Sequence, residues 1–549
     1  MATEFGAVSL VPPLLAIALA IVTRRALLSL FVGVWIGGVI NVAGAGIDGP
    51  VDVLTLPFVG VVEAFDWIVP AIGDSTTNAE IIVFTFLLGA GIALLWRLGG
   101  SLAVGQAAAG VVDSHRKVGV MAWLLGIVWF FDDYANTAIV GSAMKDIADT
   151  MNMSREKLAY VIDSTAAPVA TFGISSWTAF QIGLIEGQYA EMGIAGQTPS
   201  ATVTWLWSIP FNVYCLLAVL MVGIVVVTQR DFGEMLDAET RARETGKVTR
   251  DDANPLQSMK ADLGEPVTDD PRLRTFVVPV VVLVAVVVGS AAVTGYAPGR
   301  SAVGVAENAN FTGALVWGSF AMVATAIAMG VGEGAMDIDE AMETVLDGFG
   351  IMLHAVSILV LAWSIGSVAG ALGTGRYVTN LAEGVVTPTL LPIVILYASA
   401  FIAFSIGTSW GTMSLVTPVA VPMAWEIGGG DPQMVAVAIG ALFSGAIFGD
   451  HVSPISDTTI LSSTFAGSDH IDHVRTQIYY ALTVILVATV VYLAWSLVGS
   501  TYAMAILLPL GVVALAGIVY ALSEFDAARK NVPAKPFSGE SRGSAPGDD

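Results

Sequence analysis

Five carboxylates stand in strongly apolar surroundings. Asp132 and Asp133 fall in WFFDDYANTAIVG, Asp163 opens DSTAAPVATFGISS, and Asp450 and Asp457 lie in GDHVSPISDTTILSS. Polar neighbours accompany each of them: Asn136 and Thr137; Ser164, Thr165 and Thr171; Ser453, Ser456 and Thr458. A further polar run, SIGTSWGT at 405–412, supplies Thr408, Ser409 and Thr412. No lysine or arginine occurs over 118–144, 158–228 or 377–474, so these acids lack a positive partner close in sequence. His451 and His354 offer at most one titratable charge each, and His354, on an otherwise apolar stretch, reads as a packing histidine. A charged, unpaired carboxylate at mid-membrane costs about 2.5–3.5 kcal/mol. The neutralising charge must then come from outside the chain, as a cation or a proton. Carboxylate, amide, hydroxyl and freed carbonyl oxygens suit a hard cation such as Na+. Burial that raises a carboxyl pKa lets H+ compete for the same oxygens. Competition at a site opened alternately to two sides is an antiport mechanism. Asp132 and Asp133 point about 100° apart on a helix, so one can ligate while the other caps.

The elements that position these groups are membrane spans. Of 549 residues 55% are hydrophobic and the mean hydropathy is +0.77, with apolar runs of membrane-spanning length along the whole chain. The first run, Val8 to Val22, follows MATEFGA, which has no basic residue, and reads as a retained span rather than a cleaved signal. The lone Cys215 excludes an intrachain disulfide and a cysteine-rich metal motif. The net charge of −23, carried mostly by 231–270 and the tail, argues against nucleic-acid binding and keeps a surface hydrated in concentrated salt. Asp146 and Asp149, beside Lys145 and Arg155, read as a solvated helix end, and Asp337, Asp339, Glu340, Glu343 and Asp347 as an amphipathic surface.

Continuous spans are expected near 8–22, 26–46, 80–96, 157–185, 203–228, 275–295, 311–331, 350–371, 433–465, 475–498 and 503–522. Two segments, 118–144 and 388–425, either cross once or dip in and return. If both return, the 23 Lys and Arg divide into 21 inside and 2 outside; if both cross, into 12 and 11. Only re-entrant hairpins keep the positive-inside bias, with the N-terminus outside and the C-terminus in the cytoplasm. Residues 118–131 make a half-helix of about 21 Å, which places DDYANT near the midplane of a layer about 30 Å thick.

The order of elements over 8–228 repeats over 275–498: three spans, a short amphipathic stretch, a polar-tipped hairpin, an interrupted span and a closing span. Each half crosses five times, so the halves are inverted, a common build of secondary transporters. The interrupted spans align faintly, with Pro168 on Pro454 and Ser176 on Ser462. The expected fold is an all-α polytopic membrane protein of two inverted five-helix repeats, each with a re-entrant hairpin and a broken helix, plus one extra C-terminal helix. The units are residues 1–228, an acidic cytoplasmic linker 229–274, residues 275–498, an extra helix 499–523 and a disordered tail 524–549.

FFDDYANTAIVG from Phe130, DSTAAPVATFGISSWTAFQIGLI from Asp163, GTSWGTMSLVTPVAVPMA from Gly407 and GAIFGDHVSPISDTTILSS from Gly445 together resemble the NhaC family of sodium/proton antiporters, in the wider ion transporter superfamily. The likeness covers nearly the whole chain to about Ser523. It implies a cell-membrane antiporter exchanging Na+ for H+, with no resident cofactor. It further implies a homodimer in which hairpins and broken helices move like an elevator against a fixed scaffold. Carried onto this chain, the ion ligands are Asp132 or Asp133, Asn136 and Thr137; Asp163 and Ser164; Thr408, Ser409 and Thr412; and Asp450, Ser453, Asp457 and Thr458. Asp133, Asp163, Asp450 and His451 are the proton-binding candidates. The same scaffold also resembles exchangers of organic acids such as malate and lactate, so a sodium-coupled organic-acid or amino-acid exchanger is the alternative. An intramembrane hydrolase using two aspartates is disfavoured, because an enzyme site does not require every polar break to recur in both halves.

Overall fold

The computed structural model describes residues 5–534 apart from 24, 47–48, 74–75, 131, 254–265, 268–271, 301–304, 306–307, 375–376, 378–385 and 455. Among the described residues every regular element is helical. In chain order the helices are α1 (Val11–Thr23), α2 (Ala26–Ala45), α3 (Pro50–Gly73), α4 (Thr76–Arg97), α5 (Gly100–Ala109), α6 (His115–Val128), α7 (Asp133–Thr150), α8 (Arg155–Ala170), α9 (Ser176–Glu191), α10 (Ala201–Ser208), α11 (Val213–Thr228) and α12 (Glu234–Thr245). They continue as α13 (Leu273–Gly295), α14 (Phe311–Gly332), α15 (Ile338–Leu372), α16 (Leu391–Ile406), α17 (Ser409–Ile427), α18 (Pro432–Val452), α19 (Asp457–Ala466), α20 (His470–Val498) and α21 (Met504–Lys530). Nine of the described helices are long and apolar enough to cross a membrane, or ten if the α10–α11 stretch, bent by 49°, is one span. Their outward faces carry large exposed apolar side chains such as Phe58, Leu486 and Ile506, as lipid-facing helices do.

Polar residues end the helices where the sequence reading placed interruptions. The expected span 157–185 is two helices: α8 stops at Ala170, and α9 restarts behind Ser175, whose hydroxyl accepts from the Thr178 amide. The expected span 433–465 likewise splits into α18 and α19, the latter capped by Ser456. The freed carbonyls at the first break are taken up locally, Pro168 by Thr171 at 2.7 Å and Ala170 by Ser175 at 2.5 Å. The letter alignment of the two breaks does not hold: Pro168 lies inside α8 ahead of its break, whereas Pro454 lies within the second break. The order of elements is a better guide than the letters because a helix can break at any of several Ser, Thr or Pro positions nearby.

Other departures have equally local reasons. Helix α3 fills the stretch between the expected spans 26–46 and 80–96. Asn78, at the start of α4, shares a cavity with Trp363 and Ser367, near the end of α15, while Arg97, at the end of α4, pairs with Glu340 at the start of α15 at 2.7 Å. Helix α2 runs along α15 the other way, Gly33 against Ile365 and Gly37 against Val368. The two ends that α3 joins therefore lie at the same end of α15. Helix α15 merges the expected amphipathic segment and the span 350–371 into one rod of 35 residues. The tail expected from residue 524 is helical to Lys530 and docked, with Glu524 on Arg230 and Lys530 on Asp237, each at 2.8 Å. The linker also folds in part: α12 carries Glu239, whose carboxylate meets His115 at 2.8 Å and Arg243 at 2.9 Å.

Close packing at small residues sets the two hairpins. Gly126 on α6 lies against Thr165, where a Cβ would collide with the threonine hydroxyl. Gly445 on α18 lies in the same way against the Leu396 carbonyl of α16. Between α16 and α17 the chain turns through Gly407, whose φ of +74° favours glycine.

Candidate functional site

The turn between α6 and α7 is braced from within. The Asn136 amide nitrogen donates to the carbonyls of Gly126, Trp129 and Thr165 at 2.7, 3.0 and 3.1 Å, tying both arms of the hairpin to α8. That leaves its Oδ1 buried with no hydrogen-bond partner among the described residues. Asp132 caps α7, its carbonyl accepting the Asn136 amide, and its carboxylate accepts from Ser176 of α9 at 3.2 Å. Asp133 opens α7 and is fully buried, as is Thr137. Both carboxylates sit at a helix N-terminus, where the backbone dipole favours negative charge.

A second cluster forms around Asp163 and Asp450. The Asp163 carboxylate accepts from Ser462 at 3.0 Å, Thr459 at 3.3 Å and the Gln477 amide at 2.5 Å. Asp450 accepts from Ser409 at 2.9 Å and Thr458 at 3.0 Å. Thr459 also reaches the Asp450 carbonyl, and Gln477 the His451 carbonyl, so α8, α17, α18, α19 and α20 meet at one polar knot. His451 bonds the Tyr214 hydroxyl through Nδ1 at 3.0 Å. Ser164 is buried beside Asp163. Ser453 and Thr412 are spent on backbone carbonyls, Phe404 at 2.8 Å and Thr408 at 3.0 Å. Thr408 is half-buried at the hairpin tip. The side chains of Asp457 and His354 lie outside the described residues.

The expected ligands thus group around the α6–α7 turn and around Asp163 and Asp450. Among the described residues no three His, Cys, Asp or Glu side chains converge to hold a metal ion. Asp132, Asp163 and Asp450 instead each accept from hydroxyl groups, Asp163 also from the Gln477 amide. These donate to the carboxylates as they stand and can turn a lone pair to a cation when one arrives.

One expectation requires correction: Asp163 does have a basic group beside it. His473 of α20, fully buried, places Nε2 at 3.5 Å from the carboxylate. Lys157, two turns earlier on α8, is turned away into a buried pair with Asp231 at 2.6 Å and Glu239 at 3.8 Å. The group near Asp163 is a titratable histidine, which can neutralise the carboxylate only by carrying a proton. His473, Gln477, Thr459 and Ser462 escaped the sequence reading. The first two, at i and i+4 near the start of an apolar span, were the available signal.

A model of the Na+/H+ antiporter family matches residues 169–497. An uncharacterized protein of Haemophilus influenzae is 34% identical over 501 residues, covering 90% of this chain and 91% of that one. A malate-2H(+)/Na(+)-lactate antiporter of Bacillus subtilis is 28% identical over 173 residues, 31% of this chain and 35% of its own length. The Na(+)/H(+) antiporter NhaC of Alkalihalophilus pseudofirmus is 26% identical over 160 residues, 29% of this chain and 33% of its own. In fold, the chain is similar to the YdaH transporter of Alcanivorax borkumensis, with TM-score 0.54 and 15% identity over 80% of this chain and 89% of that one. It is also similar to MtrF of Neisseria gonorrhoeae, with TM-score 0.52 and 12% identity over 80% and 84%. An all-helical membrane chain with carboxylates at helix breaks, matched by that family model over more than half its length, is a multi-pass transporter of the Na+/H+ antiporter family, of the NhaC kind.

Proposed function

We propose that the protein exchanges Na+ for H+ across the cell membrane by alternating access. The carrying observation is that Asp163 and Asp450 lie in one buried knot of hydroxyl and amide groups whose basic members are histidines, while Lys157 is committed elsewhere. A cation at either carboxylate and a proton on the same group or its histidine are alternatives, because two positive charges this close repel in a buried site. Asp132 or Asp133, with Asn136 Oδ1 and Thr137, forms the companion site at the first hairpin.

The two hairpins are read as re-entrant and the halves as inverted repeats. In support, both ends of the α6–α7 hairpin lie against the segment after α11, His115 on Glu239 and the post-hairpin Arg155 amide on the Val248 carbonyl. This topology sets the N-terminus outside and the C-terminus in the cytoplasm. An elevator-like movement of hairpins and broken helices, in a homodimer, follows from the same reading. Exchange of a sodium-coupled organic acid or amino acid is the second reading, favoured by the buried Gln181 amide and the Trp177 and Trp410 indole N–H groups, which have no hydrogen-bond partner among the described residues.

The deciding assay uses the purified protein in proteoliposomes carrying a pH gradient. NaCl, added without any organic solute, is expected to dissipate the gradient. No response to Na+, Li+ or K+ overturns the proposal.

A further inference from the structure

The dipeptide Ser-Trp occurs twice in the chain, as Ser176 with Trp177 and as Ser409 with Trp410. Each copy opens a half-helix, α9 after the first break and α17 after the second hairpin turn. In both copies the serine hydroxyl holds a carboxylate of the site: Ser176 donates to Asp132 at 3.2 Å and Ser409 to Asp450 at 2.9 Å. In both copies the tryptophan that follows packs on the tryptophan of the other. The two indoles meet with ring centroids 5.3 Å apart, and Phe180, one turn further along α9, closes on Trp410 edge-on at 4.4 Å. Trp177 is fully buried and Trp410 is 6% exposed, and neither indole N–H has a hydrogen-bond partner among the described residues. Ring packing, with no polar anchor, therefore fixes each indole against the other.

An unbroken line of contacts thus runs from Asp132 through Ser176, Trp177, Trp410 and Ser409 to Asp450. A cation on either carboxylate changes what its serine does, because a hydroxyl that donates to the carboxylate must turn a lone pair to the ion. That serine is the first residue of its half-helix, so a shift of its oxygen is carried by the helical turn that also bears the indole. Close-packed interiors pass such shifts on rather than absorb them, and packed contacts switch between discrete arrangements. Displacing one indole displaces the other. Asn136 also ties the first hairpin to α8, but through the Thr165 carbonyl, which a substitution at either tryptophan leaves in place.

We infer that the stacked pair of Trp177 and Trp410 couples the two carboxylate sites, so that filling one shifts the tryptophan of the other. This rests on the Na+/H+ reading, which puts ions at both sites. The test is fluorine NMR of the full-length protein labelled with fluorotryptophan, with the two resonances assigned as those lost in Trp177→Phe and Trp410→Phe. Asp132→Asn/Asp133→Asn disables the first site, and NaCl is titrated against choline chloride at constant ionic strength. The Trp177 resonance of this variant is expected to shift with half-maximal Na+ within threefold of that for Trp410, which flanks the intact site. Adding Trp410→Leu is expected to abolish the Trp177 shift while Na+ still raises the melting temperature. Asp163→Asn/Asp450→Asn, without and with Trp177→Leu, reads the same link from the other end through Trp410. A resonance beside the disabled site that ignores Na+ while its neighbour responds overturns the inference. So does a shift that survives removal of the partner indole, since it then travels by another route. Loss of the Na+-induced rise in melting temperature on removing either indole overturns it too, because each indole then builds its own site rather than links the two. With Na+-driven proton flux present in wild-type proteoliposomes, any of these results strikes the coupling alone; with that flux absent, the Na+/H+ reading falls and the coupling with it.

Discussion

Replacing Asp163 by asparagine removes one negative charge while keeping the shape of a fully buried side chain. In the structure it accepts from Ser462, Thr459 and Gln477, with His473 at 3.5 Å. A Na+ ion about 4 Å from the centre of that charge gains about 4 kcal/mol at an effective dielectric of about 20. Losing it weakens the ion by about a thousandfold, since each factor of ten is about 1.4 kcal/mol. The hydroxyls of Ser462 and Thr459 can still donate to the amide oxygen, so the fold is expected to survive. Proteoliposomes containing Asp163→Asn should show no Na+-dependent loss of a pH gradient at Na+ concentrations that saturate the wild type, with an unchanged elution profile and secondary structure. If half-maximal Na+ in a folded Asp163→Asn protein lies within threefold of wild type, the charge is not what holds the ion, and the site assignment fails.

Two further expectations concern the charge cage where α8 meets α12. Lys157→Met leaves Asp231 and Glu239 buried without their shared ammonium, and removing one partner of a buried pair costs about 3–5 kcal/mol. Thermal unfolding should show a large loss that Lys157→Met/Asp231→Asn partly restores; a melting temperature unchanged by Lys157→Met refutes the pairing. Burial pushes the Glu239 carboxyl up, but His115, Lys157 and Arg243 outweigh it and hold the group well below its ordinary 4.5. A depressed folded-state pKa means that this contribution to stability is complete above about pH 4.5 and drains away as the pH falls below it. Glu239→Gln should therefore lower stability at neutral pH and flatten the acid limb of a stability–pH curve. A parallel acid limb in both proteins counts against the cage.

The residues most readily found by reading the chain were those whose polarity conflicts with a lipid environment. Asp132, Asp133, Asp163 and Asp450 stand out because they lie in the stretches 118–144, 158–228 and 377–474, which hold no lysine or arginine, and the structure buries all four. The breaks at 171–175 and 453–456 were legible for a related reason, since clustered Ser, Thr and Pro compete with the helix for its own backbone groups. His473 and Gln477 stayed hidden because they sit at the start of a separate apolar span, and nothing local ties that span to Asp163. Gln181 stayed hidden because one amide in an apolar helix is indistinguishable, as a letter, from a satisfied one.

Composition and apolar run length determined that this chain is a polytopic helical membrane protein, and its stranded carboxylates marked spans as interrupted, because apolar length and the cost of burying charge in lipid are properties of contiguous sequence. Which carboxylate meets which hydroxyl, that Lys157 turns to Asp231 rather than Asp163, and that α21 docks on α12 were decided only by tertiary packing. Those contacts join residues up to 314 positions apart, as Gln477 and Asp163 are. Their partners are selected by helix crossings and close glycine contacts that leave no pattern in any one segment.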